Sequence, residues 1–175
     1  MKPNYIIIHH EGASNGFYVV NSYHKQRWNF KSSLGFYIGY QYYIDTSGKV
    51  LQGRADTEEG AHTKGMNSGT IGICLQGNFN VQKPSFAQMT ALKALVKRKM
   101  NEYAIPFNNI GGHRQFRDTS CPGLNLPNSE IKKLFEVDLG YLQKLLNSLF
   151  KQLQAMFARL SLGSKGDLEK DEEYE

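Results

Sequence analysis

The chain has 175 residues, of which 40% are hydrophobic and 21% charged, an ordinary globular composition. No stretch approaches the roughly 20 consecutive apolar residues of a membrane-spanning helix, and two cysteines without an export signal argue against a disulfide framework. The formal charge of +5 is uneven, with −2 on residues 130–175 and +7 on the first 129, so the N-terminal part is drawn to polyanions, cell-wall polymers as well as nucleic acid.

Tyr5-Ile6-Ile7-Ile8-His9 is β-rich and almost wholly apolar, which predicts a buried central strand ending in histidines. The run is too short for the core of a signal peptide, so synthesis in the cytoplasm is expected, with another agent carrying the product to any site outside the membrane. Residues 20–30 suggest a short helix capped by Asn21 or Ser22. Residues 36–44 and 50–52 flank Asp45-Thr46-Ser47-Gly48-Lys49 and read as a hairpin. Ile71 to Gln76 is a second buried strand, in which Cys74 serves as a small hydrophobe. Ser85-Phe86-Ala87-Gln88 matches a capping box and opens a helix to about Tyr103. A short strand at 109–113 and a loop at 114–127 follow. Strands mixed with crossover helices predict an α/β domain with a central mixed sheet flanked by helices.

The pattern changes after Ser129. Leu139, Leu142, Leu146, Leu149, Leu153, Met156 and Leu160 alternate steps of three and four, a heptad seam widened by Leu145, Phe150 and Phe157. The expected organisation is a folded α/β domain over 1–128, a C-terminal amphipathic, coiled-coil-like helix over 129–162, and an acidic disordered tail over 163–175. The helix is expected to make a homo-oligomer; packing on its own domain, or contact with a membrane surface, would use the same apolar stripe.

Candidate metal ligands fall in two places. His9 and His10 end the first strand, while His113 and Cys121 stand eight positions apart across a loop. A catalytic zinc site takes three such ligands and keeps one position open for water. Neighbouring strand residues face opposite ways, so only one of His9 and His10 can join the loop pair.

Taken in order, Ile7-Ile8-His9-His10, Ile38-Gly39-Tyr40-Gln41-Tyr42, Gly60-Ala61-His62-Thr63, Ile71-Gly72-Ile73-Cys74 and Gly112-His113-Arg114 to Cys121-Pro122-Gly123 resemble the type 2 N-acetylmuramoyl-L-alanine amidases, which include phage endolysins and peptidoglycan recognition proteins. The likeness covers about residues 4–127. It implies Zn2+ held by His9, His113 and Cys121, with catalytic support from Tyr40 and Thr119. It also implies that His62 lines the site, touching either a metal ligand or substrate, and His10 and Arg114 are further candidate substrate contacts. The implied partner is bacterial peptidoglycan rather than nucleic acid. The implied reaction is hydrolysis of the amide between N-acetylmuramic acid and L-alanine, in an endolysin that reaches the wall after release. A non-catalytic peptidoglycan-binding or partner-binding regulator is the alternative. Glu11 is a nearby carboxylate for which the family pattern has no role.

Overall fold

Ile6, Ile7 and Ile8 are completely buried in the middle of β1 (Tyr5–His10). A strand covered on both faces can be apolar without alternation, and burying each such side chain is worth about 1.5–3 kcal/mol. The computed structural model describes residues 1–135 and 146–157, and the chain divides into two units, Met1–Phe135 and Glu136–Glu175.

In the first unit, β1 is joined by β2 (Tyr42–Ile44), β3 (Val50–Gln52), β4 (Thr70–Leu75) and β5 (Ile110–Gly112) in one sheet of order β3-β2-β4-β1-β5. β1 is parallel to both β4 and β5, β2 is parallel to β4, and only the β2–β3 hairpin is antiparallel. The expected mixed sheet flanked by helices is therefore the observed fold.

Strand alternation divides the interior. Ile6, Ile8, Ile71, Ile73, Leu75, Tyr42 and Ile44 point to one face and pack with Leu92, Leu95 and Val96 of α2 (Phe86–Tyr103). The α2 capping box is present, with the Ser85 hydroxyl accepting from the Gln88 N–H and the Gln88 side chain accepting from the Ser85 N–H. Tyr43 and Cys74 face the opposite way, against Ile38 and against Phe17 and Val20 of α1 (Phe17–Trp28). A buried ionic cluster ties α2 to the segment after β3. Asp56 accepts from Lys99 at 2.5 Å, from the Tyr42 hydroxyl at 2.6 Å and from the Tyr103 hydroxyl at 2.9 Å.

Three local expectations are corrected. α1 starts at Phe17, after Gly16, so neither Asn21 nor Ser22 is its cap. The Asn21 carboxamide instead accepts from the N–H groups of Tyr37 and Ile38 at 2.6 and 3.1 Å. The first hairpin strand is confined to Tyr42–Ile44, because the N–H groups of residues 37–39 are taken by side chains of α1, Asn21 and His24. The strand at 109–113 is Ile110–Gly112, between two 3-10 turns.

A short helix, α3 (Asn128–Lys133), closes the first unit, with Ile131 and Phe135 in the core beside β5. In the second unit residues 146–157 are helical, and the 3–4 spacing aligns Leu146, Leu149, Leu153 and Met156 on one side. Leu139, Leu142, Leu145 and Leu160 of the seam, and the acidic tail, lie outside the described residues. No helix among the described residues is long and apolar enough to cross a membrane.

Candidate metal centre

Register brings the two histidines together. Ile8 of β1 pairs with Gly112 of β5, so the next residues, His9 and His113, leave the same sheet edge as neighbours with ring centroids 4.5 Å apart. Their sequence separation is irrelevant once the strands are parallel.

Cys121 is brought to them by its loop. The Arg114 N–H donates to the Cys121 carbonyl at 2.9 Å, and the Arg114 guanidinium donates to the carbonyls of Ser120 and Gly123, each at 2.5 Å. The Thr119 hydroxyl accepts from the Cys121 N–H at 3.2 Å, tightening the turn. Gly123 has φ +101°, and a Cβ there would come 2.4 Å from the backbone of Phe79, so the close approach requires glycine. The result places Sγ of Cys121 3.7 Å from Nδ1 of His9.

One atom from each of His9, His113 and Cys121 lies within 4.8 Å of the others, and this is the one such cluster among the described residues. His113 Nε2 is buried without a hydrogen-bond partner, the one such side-chain atom among the described residues. A buried orphan nitrogen costs free energy unless a hydrogen-bond partner or a metal meets it. Two imidazoles and a thiol are a donor set suited to zinc. Burial lowers the basicity of His9 and His113, leaving both neutral near pH 7 and able to coordinate. Burial also pushes the Cys121 thiol up to about 11, despite the opposing charge of Arg114, so a metal must displace its proton.

His10 occupies the other side of the sheet. Its Nδ1 accepts from the Phe79 N–H at 3.0 Å, and the Phe79 carbonyl accepts from Asn125, so His10 braces the Cys121 loop from behind. His62 lies on the same side as His113 and Cys121, its Nδ1 3.1 Å from His9 Nε2, and burial drives its pKa down to about 3. The Tyr40 ring stands 5.2 Å from that of His9. Burial raises the Tyr40 phenol well above its usual range, so it keeps its proton. Its segment is held by Asn21 and by His24, whose Nδ1 accepts from the Gly39 N–H at 2.9 Å. Glu11 is occupied structurally, accepting from the Tyr43 hydroxyl at 2.5 Å and the Asn15 N–H at 2.8 Å.

A cleft of about 650 Å³ opens beside the cluster, lined by Arg27, Trp28, Ala61, His62, Lys64, Asn67, His113 and Arg117. A second hollow of about 410 Å³ meets Tyr40, Glu11, His24, Tyr23 and Val19. Arg117, not Arg114, lines the first cleft. Arg27, Trp28, Lys64 and Asn67 were not singled out from sequence, where they read as ordinary surface residues. The one available signal was the pairing of Arg27 with the sole tryptophan at the end of α1.

A family model described as N-acetylmuramoyl-L-alanine amidase matches residues 1–124. Peptidoglycan-recognition protein SC2 of Drosophila melanogaster is 33% identical over 130 residues, 71% of each chain. The solved endolysine N-acetylmuramoyl-L-alanine amidase LysCS from Clostridium intestinale URNW superposes with TM-score 0.67 at 36% identity, covering 76% of this chain and 83% of that one. A complex of tracheal cytotoxin with the ectodomains of peptidoglycan recognition proteins LCa and LCx gives TM-score 0.64 at 32% identity, covering 76% of this chain and 82% of the matched one.

Proposed function

The chain belongs to the N-acetylmuramoyl-L-alanine amidase family, and from that premise we propose that it is a zinc-dependent hydrolase of the lactyl amide joining N-acetylmuramic acid to L-alanine in bacterial peptidoglycan. The observation that carries this reading is the convergence of His9, His113 and Cys121, with His113 Nε2 buried and unpartnered.

A zinc ion held there would polarise the amide carbonyl and make water acidic enough to act as the nucleophile near neutral pH. His9 and His113 supply neutral nitrogens and Cys121 a thiolate. Tyr40, whose phenol stays protonated, donates to the carbonyl oxygen as it gains negative charge. The Thr119 hydroxyl accepts from the Cys121 N–H and keeps its own proton for the same oxygen. Thr119 brings no positive charge, so its support is weaker than that of a lysine. Arg27, Lys64 and Arg117 give the neighbouring cleft a cationic wall suited to the carboxylates of a stem peptide. Breaking the amide yields the muramyl carboxylate and a free L-alanine amine.

The resemblance to the Clostridium intestinale endolysine supports a role in wall lysis after release from the cell. The recognition-protein relatives favour a second reading, binding of peptidoglycan without turnover. Incubation of the purified chain with peptidoglycan, followed by labelling of new L-alanine amino termini, separates the two. Zinc-dependent appearance of those termini is expected; binding without them would establish the second reading.

A further inference from the structure

The hydrogen bonds around His62 determine which nitrogen of His9 carries a proton. The His62 ring lies in a slot between Gly60 and Gly72, where a Cβ on either glycine would come within 2.5 Å of it. This pins the ring with Nε2 3.3 Å from the Thr70 hydroxyl and Nδ1 3.1 Å from Nε2 of His9.

The Thr70 hydroxyl has a single proton, and its 2.6 Å bond to the Met66 carbonyl uses it, because a carbonyl only accepts. Thr70 must therefore accept from His62, which puts the His62 proton on Nε2. A neutral imidazole has one N–H, so Nδ1 of His62 is a lone-pair acceptor. It faces His9 Nε2. An unprotonated Nε2 there would set two lone pairs against each other at 3.1 Å. The Thr63 hydroxyl oxygen lies 3.4 Å from His9 Nε2 and can serve as a second, longer acceptor for the same His9 proton.

We propose that His62 is a positioning residue that holds His9 in its Nε2–H tautomer, so that Nδ1, the nitrogen nearest Cys121, is the one offered to the metal. The chain of donors runs from His9 through His62 and Thr70 to the Met66 carbonyl and stops there. The proposal rests on the reading of His9, His113 and Cys121 as metal ligands. Of the two roles open to His62, it selects the orienting partner of a ligand over the substrate contact and fixes the tautomer that follows, as the second nitrogen of ligating histidines is commonly fixed.

The test has two readouts on the full chain. Nitrogen-15 NMR of the metal-free protein identifies the protonated nitrogen of His9, and titration with zinc against a chelator gives the affinity. Wild type is expected to show Nε2–H. His62→Phe keeps the bulk but removes the acceptor, and is expected to weaken zinc binding by about 10- to 100-fold. His62→Asn places an amide oxygen where Nδ1 stood and is expected to recover most of that loss. Thr70→Val preserves shape, frees His62 to change tautomer, and is expected to give a mixed His9 signal with a smaller loss.

A wild-type His9 protonated on Nδ1 would overturn the proposal, as would equal losses in the Phe and Asn variants with the His9 tautomer unchanged. No zinc binding by the wild type would instead overturn the metal reading on which the proposal stands, whatever the tautomer.

Discussion

Sγ of Cys121 lies 3.7 Å from Nδ1 of His9, although 112 positions separate them in the chain. Strand register alone aligns His9 with His113, but the thiol arrives only because Arg114, Thr119 and Gly123 fold its loop back onto the sheet edge. Replacement of the thiol tests that convergence. Cys121→Ser is expected to lower zinc affinity by more than about 100-fold, beyond the usual effect of losing an outer-shell partner, and to abolish hydrolysis. Far-ultraviolet circular dichroism should be unchanged, since Cys121 is only partly buried and outside the core clusters. Retained zinc stoichiometry at wild-type affinity would remove Cys121 from the site.

Zinc uptake is expected to release at least one proton near neutral pH, that of the thiol, with any ionisation of zinc-bound water adding to it. The thiol is held up at about 11 by burial, whereas His9 and His113 are shifted down and already neutral. The sign follows from the free thiol: below about pH 11 it is protonated and must ionise to bind, so each unit of rising pH strengthens apparent affinity about tenfold. Calorimetry in buffers of different ionisation enthalpy counts the released proton. A count near zero would contradict thiolate ligation.

Asp56→Ala is expected to destabilise the domain by about 1–3 kcal/mol, because it strips a buried acceptor from Lys99, which keeps only Glu102 at 2.8 Å, and from the Tyr42 hydroxyl. Asp56 also receives the hydroxyls of Tyr42 and Tyr103, so the loss extends to the packing of α2 on the sheet. Denaturant unfolding monitored by tyrosine fluorescence measures it. A change under 1 kcal/mol, on the order of an exposed pair, would mean that the cluster is not a fastening.

Self-association through the C-terminal helix is expected to depend on residues after Phe135. Ile131 and Phe135 belong to the core of the first unit, so a truncation for this purpose should end after Phe135 and not at Asn128. Sedimentation should show a larger species for the full chain and a monomer for the shortened one. Two monomers would leave the heptad seam without this role.

Much of the scaffold was legible in the sequence because its signals are local. The run Tyr5–His10, the capping box at Ser85 and the His113–Cys121 spacing each announce themselves within a few residues. The start of α1 was not legible, because the helix is apolar on two sides: Phe17 and Val20 face the core while Tyr18, Val19, Tyr23 and Trp28 are exposed. Asn21 resembles a cap by residue type, but its carboxamide is taken by the backbone of Tyr37 and Ile38, a contact that only the fold creates. The slot for His62 was hidden for the same reason. Gly60 and Gly72 are far from adjacent, and nothing in their neighbours records that both make room for one imidazole. Arg114 shows the reverse case, a cation suggestive of substrate contact whose guanidinium is engaged by the carbonyls of its own loop.

The most direct measurement is the appearance of new L-alanine amino termini from purified peptidoglycan, compared for the native chain, the chelator-treated chain and the same sample after zinc is restored. Release by the native chain, loss with the chelator and recovery with zinc are expected. Peptidoglycan binding with no new termini in any of the three samples would contradict zinc-dependent hydrolysis.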